Sequence, residues 1–212
     1  MMIEKHLYWN GLLTILVILL TSLAGCENGS TDGGMQTSGA GQTIGATVEL
    51  SNLTVNGAGS GDFGYLSSGM SPIAIGTRIN GAPKVLITGG KLAIELDYAL
   101  SGYIAAPATS IHAGVTTTNS ASFFLIREFV NSAGDKTLGC YGSGSKQLML
   151  IWADRDATLG GSYTMGPSTF SFSGVNLKQG WNFLLQDSNN GGVTFTHTAT
   201  RTFPSGYKWQ VS

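Results

Sequence analysis

Beyond residue 45 the chain alternates apolar and polar residues in short runs separated by Gly, Ser and Asn, and no stretch sustains a helical period. That pattern predicts an all-β domain. In "KLAIELDYAL", Leu92, Ile94 and Leu96 alternate with Ala93, Glu95 and Asp97, which predicts a strand with one packed and one wet face. "ASFFLIREFV" (residues 121–130) and "KQLMLIWA" (146–153) are apolar at both parities and are placed mid-sheet, covered on both sides. "SGYKWQVS" puts Tyr207, Trp209 and Val211 on one face of a docked final strand. Val48 and Leu50 share a parity that Leu53 and Val55 break, so Ser51-Asn52 is expected to be a β-bulge.

Three runs near the carboxyl end, "FSFSGVNL", "GWNFLLQD" and "GVTFTHTAT", are joined by Lys178-Gln179 and by Asn189-Asn190-Gly191. Both joints suit hairpin turns, so a meander is expected. About ten strands with short polar connections fit a two-sheet antiparallel β-sandwich, immunoglobulin-like or jelly-roll, better than a closed barrel. The runs are too short and mixed for an outer-membrane barrel.

Composition narrows the function classes. Of 212 residues, 42% are hydrophobic and only 11% charged, with 31 glycines and a net charge of -1. Charge so sparse offers no basic stripe for a phosphate backbone, so no nucleic-acid partner is expected. Ser, Thr, Asn and Gly fill the deficit, a composition that suits an extracytoplasmic β-protein.

The amino-terminal pattern differs. Lys5 and His6 precede "GLLTILVILLTSLAG" (residues 11–25), an apolar run shorter than the ~20 residues that cross a bilayer. A secretory signal is therefore favoured over a membrane anchor. Leu23-Ala24-Gly25-Cys26 at its end resembles the bacterial lipobox at all four positions. The resemblance implies a bacterial lipoprotein: diacylglyceryl transfer to the Cys26 thiol, cleavage before Cys26, and acylation of the new amino terminus. Several acyl chains hold a protein to a membrane where one gives marginal binding. Glu27 follows, and by the enteric sorting rule the absence of Asp there leans toward the outer membrane.

The expected organisation is a signal peptide (1–25), an acylated Cys and flexible tether (26–45), and a β-sandwich domain (46–212). A Gly/Ser/Thr tether of this length holds the domain on the order of 25 Å from its anchor. With Cys26 acylated, Cys140 has no intramolecular partner and reads as a small buried strand residue.

Candidate chemistry is thin. His112 and His197 sit in no metal-ligand spacing, and no cofactor is expected. Asp154-x-Asp156 could offer oxygens to calcium, but an EF-hand loop needs Gly and Glu where Leu159 and Met165 stand, so solvated turn carboxylates are the simpler reading. There is no Gly-x-Ser-x-Gly elbow. Glu95 and Asp97 share a strand face, the spacing of any wet face as well as of a glycosidase pair. No catalytic residue is assigned, and the chain is read as a non-enzyme.

Aromatic rings supply candidate recognition surfaces: Trp181, Tyr65 and Tyr103 are the ligand-binding candidates, with Trp152, Trp209, Tyr141 and Tyr163 beside them. Core packing competes for most of these. "NLKQGWNF" (176–183) is similar to a segment of exported β-sandwich lipoproteins of uncharacterised function and brings no activity with it. The polar loops 56–71 and 107–120 are natural binding positions. The expected function is a lipid-anchored binding or structural module of the cell envelope, meeting the membrane through its lipid and a protein or glycan through its loops. An envelope hydrolase and an assembly component are the alternatives.

Overall fold

A computed structural model of the chain describes residues 39–57, 61–63, 65–66, 85–96, 112–189 and 193–212. The signal segment, Cys26, most of the tether, Asp97, Tyr103 and parts of both long loops lie outside the described residues.

Fifteen strands are described, and no α-helix is among them. They are β1 (Val48–Asn56), β2 (Gly61–Asp62), β3 (Tyr65–Leu66), β4 (Val85–Thr88), β5 (Lys91–Leu96), β6 (Val115–Thr117), β7 (Phe123–Ile126) and β8 (Phe129–Val130). Then come β9 (Thr137–Tyr141), β10 (Gln147–Ala153), β11 (Ala157–Met165), β12 (Ser168–Leu177), β13 (Gly180–Asn189), β14 (Thr194–Thr200) and β15 (Lys208–Val211).

The period-two readings hold locally. Leu92, Ile94 and Leu96 of β5 are buried while Lys91 and Glu95 are exposed. Tyr207 and Trp209 are buried and Lys208 and Gln210 exposed, with β15 docked beside β1 and β9. Asn52 takes a φ of 56°, and the β1–β5 register jumps from Leu50↔Ile94 to Leu53↔Leu92, the expected bulge. The 121–130 run divides into β7 and β8 at Arg127-Glu128.

Hydrogen bonds join these strands into one large mixed sheet, in the order β2-β4-β5-β1-β15-β9-β10-β13-β14-β12-β11-β6, with β7 on β10 and β8 linking β3 to β9. The antiparallel expectation is corrected in two places. β1 pairs β15 in parallel, and so does β12 with β14. Both pairs join strands with other structure between them in sequence, as parallel pairing requires.

The meander is also corrected. β13 and β14 form the expected hairpin, but β12 pairs with β11 and β14 and not with β13. Lys178-Gln179 is a corner. The Trp181 N–H donates to the Gly45 carbonyl at 2.6 Å, and the Asn182 side chain holds the backbone of Lys178 from both sides at 3.0 and 2.8 Å. Gly180 takes a φ of 93°, and a Cβ there would stand 2.6 Å from that carbonyl oxygen. Just ahead of β1, the Gly41 and Ile44 N–H groups donate to the Phe203 and Arg201 carbonyls, and Ile44 is buried.

Two buried clusters lie on opposite faces of β10 and β13. The first packs Val48, Leu50, Ile87 and Ile94 against Phe124, Leu150, Trp181 and Phe183. The second gathers Met149, Ile151, Leu159, Phe170, Phe172 and Leu184. Leu148 and Leu150 serve the first and Met149, Ile151 and Ala153 the second, which is why β10 is apolar at both parities. β6 and β7 are far apart in the pairing order yet adjacent in the chain, and Val115 and Phe123 share the second cluster. The sheet therefore curls around that cluster. Each Leu or Phe fully buried this way contributes about 1.5–3 kcal/mol.

Candidate functional site

The first candidate is an open groove of about 500 Å³ along β1 and β5, lined by Thr47, Glu49 and Ser51 on one side and Ala93 and Glu95 on the other. The same alternation that buries Leu50 and Ile94 turns Glu49 and Glu95 outward, and the register sets them directly opposite each other. The Thr47 hydroxyl donates to Glu49 Oε1 at 3.3 Å. Two carboxylates thus share one wet face of the β1–β5 ladder. Glu95 was legible in the sequence as one of two carboxylates. Its partner in the groove is Glu49, which comes from another strand.

The second candidate lies on the curled part of the sheet. Tyr163 of β11, Phe170 of β12 and Phe195 of β14 are direct cross-strand neighbours, with ring centroids 4.9 and 4.7 Å apart. His112, exposed before β6, stacks on Tyr163 at 4.0 Å and extends the ladder. Burial pushes the Tyr163 phenol up, while the Arg127 charge works the other way. Because each inner ring is covered by its neighbours, only the ends of the ladder offer a flat face. Such stacked pairs add about 0.5–1.5 kcal/mol each beyond their burial, so the ladder is packing first.

A row of polar side chains runs one step deeper. Arg127 Nε donates to Gln147 Oε1 at 3.2 Å. His197 stacks on Phe172 at 4.0 Å, with Nδ1 2.9 Å from the Ser171 carbonyl and Nε2 3.3 Å from Gln186 Oε1. Burial pulls the His197 imidazole below its ordinary proton affinity. Tyr141 donates to Glu128, and its phenol is raised first by burial and then by that carboxylate. The sequence showed Gln147 only as the polar start of an apolar run.

The remaining sequence candidates have other occupations. Asp154 accepts from the Ser122 N–H at 2.9 Å and from Arg155, while Asp156 accepts from Lys178 Nζ and the Gln179 N–H, both at 2.8 Å. The Lys178 ammonium, then that N–H, hold the Asp156 carboxyl below the usual range. The two carboxylates thus brace different turns, and among the described residues no three His, Cys, Asp or Glu converge as metal ligands. Asp156 and Lys178 border a second, shallower groove with Asn119 and Asn176.

Trp181 is fully buried, edge-on to Phe124 at 6.2 Å, so its ring is not a stacking surface for a ligand. Tyr65 lies in β3, paired with Val130. Tyr103 lies outside the described residues. Cys140 is buried in the first cluster, and burial raises its thiol far above the ordinary value. No helix among the described residues is long and apolar enough to cross a membrane. No protein-family model, no curated protein and no solved structure shows significant similarity to this chain.

Proposed function

We propose that this chain is a lipid-anchored protein of the bacterial cell envelope, on the outer membrane, whose β domain is a non-catalytic module that binds a glycan. In this reading Cys26 carries the lipid, residues 26–45 lead from it, and the domain packs its strands as two sandwiched layers. The observation that carries the binding reading is the Glu49–Glu95 groove. Its outward carboxylates and neighbouring hydroxyls suit a polyhydroxylated ligand, because carboxylates accept strong hydrogen bonds from sugar hydroxyls and Thr or Ser can donate or accept.

The same pair supports a second reading, a glycan hydrolase, since glycosidases use two facing carboxyl groups. Exposure weighs against it. Hydrolytic sites close around the reacting bond and expel water, whereas both Glu49 and Glu95 are open to solvent.

Two experiments test these readings. A glycan array probed with the protein and with the Glu49→Gln/Glu95→Gln double variant is expected to give binding that the variant loses at least tenfold. No glycan bound by the parent protein would overturn the binding reading, and release of shortened glycan would establish the hydrolase. Metabolic labelling with a fatty acid is expected to mark the protein and to leave Cys26→Ala unlabelled and unprocessed; equal labelling of both would overturn the anchor.

A further inference from the structure

Gln147 of β10 stands directly opposite Gln186 of β13, and Gln186 directly opposite His197 of β14. All three are buried, with 4%, 9% and 5% of their surface exposed. The two ends of this row fix its polarity. Arg127 has only donors, so Gln147 must present Oε1 to it, which turns Gln147 Nε2 away. The Ser171 carbonyl only accepts, so His197 Nδ1 carries a proton, and a neutral imidazole then leaves Nε2 as an acceptor.

Gln186 stands between these ends with Oε1 toward His197 Nε2, an acceptor facing an acceptor. Gln147 Nε2 is buried and has no hydrogen-bond partner. Buried donors are paired in nearly all proteins, so the two faults ask for one explanation. An amide's oxygen and nitrogen exchange places when it turns end for end, with no other atom moving. Turned this way, Gln186 gives its NH2 to His197 and its oxygen to the side that carries Gln147 Nε2.

We propose that Arg127, Gln147, Gln186, His197 and the Ser171 carbonyl form one directional hydrogen-bond chain across the sheet, and that protonation of His197 reverses the Gln186 amide and breaks the chain at Gln147. In the neutral state each link runs from a donor to an acceptor, from Arg127 Nε to the Ser171 carbonyl. An imidazolium carries a second N–H and needs an oxygen beside it. Gln186 supplies that oxygen only by turning back, which strands Gln147 Nε2. The chain thereby couples an exposed guanidinium to a buried ring.

The surroundings of the ring allow this. β12 offers Phe172 and the Ser171 carbonyl, and β13 offers Gln186, while Asp187 lies on the opposite face of β13 and pairs with Lys146. Tyr163 of β11 stacks on Phe172, and the Arg127 charge acts on its phenol. Arg127 meets the row at Gln147, and the Tyr141–Glu128 pair lies beyond it, where Tyr141 stands opposite Gln147.

Long-range nitrogen–proton NMR on the labelled protein tests the chain. At about pH 7.5, above the ordinary His range, His197 is expected to show a protonated Nδ1 and a bare Nε2 correlated with the Gln186 side-chain amide protons. On acidification the side-chain signals of Gln186, Gln147 and Arg127 Nε are expected to shift with the midpoint of His197. A protonated Nε2 at neutral pH, or Gln147 and Arg127 signals that stay still while His197 titrates, would overturn the proposal. Gln147→Met removes the donor that orients Gln186, so the His197 midpoint is expected to rise in this variant; an unchanged midpoint would show that Gln147 only fills space.

Discussion

Phe172 and His197 lie ring on ring, 4.0 Å between centroids and 4° from parallel, on neighbouring parallel strands. The burial that creates this stack makes His197 a weaker base folded than unfolded, while its bond to the Ser171 carbonyl opposes the shift. Below the unfolded value near 6.5 the unfolded chain takes up a proton that the folded one resists. The stability is therefore fully present above that value and lost as the pH falls through the lower folded value. Melting temperatures recorded from neutral pH downward should decline in the parent protein and decline less in His197→Gln; equal slopes would place the acid sensitivity elsewhere.

Gly180→Ala should destabilise the domain by about 2 kcal/mol or more, because it joins positive-φ strain to a close backbone approach. The new methyl would meet the Gly45 carbonyl at 2.6 Å, the acceptor of the Trp181 N–H. Urea unfolding measures the loss. Gly174→Ala is the control: it also has a positive φ, but no atom lies within 4 Å of the added carbon, so it should cost less.

Trp181→Ala should cost about 3–5 kcal/mol, the range for deleting a large aromatic from a packed core. The ring is completely buried beside Phe124. Trp181→Phe should recover part of that in denaturant titrations. A small loss on truncation to Ala would contradict the placement of Trp181 in the first cluster.

Cys140 should resist alkylation in the folded protein and react once the chain is unfolded. Reactivity belongs to the thiolate, which burial suppresses here. Mass spectrometry after iodoacetamide treatment with and without urea reads this directly, and rapid native labelling would show that the strand opens.

Side-chain parity tells the faces of these strands, because period two is a local property. Lys91–Leu96, the bulge at Asn52 and the docked Trp209 follow from it. Partner choice is not local. A two-residue link followed by glycine looks the same whether β12 and β13 pair or part, and what separates them is a distant carbonyl on Gly45 and the Asn182 side chain. Glu49 and Glu95 each read as one more wet position, and only the pairing of β1 with β5 sets them face to face. Gln147 looked like a polar strand end because its burial depends on the curl of the sheet around the second cluster.

β1 has two neighbours of different kinds: its first part pairs with β5, and its last residues, Val55 and Asn56, pair with Trp209 and Gln210. A chain made from its amino end therefore forms one side of β1 early and must leave the other open until almost all the described residues exist. Closing a contact of such long sequence separation is slow, and the waiting edge is the kind that pairs wrongly with other chains. Assembly of this sheet is completed by joining its earliest long strand to its latest, so a shortened or stalled chain should fail at that seam first.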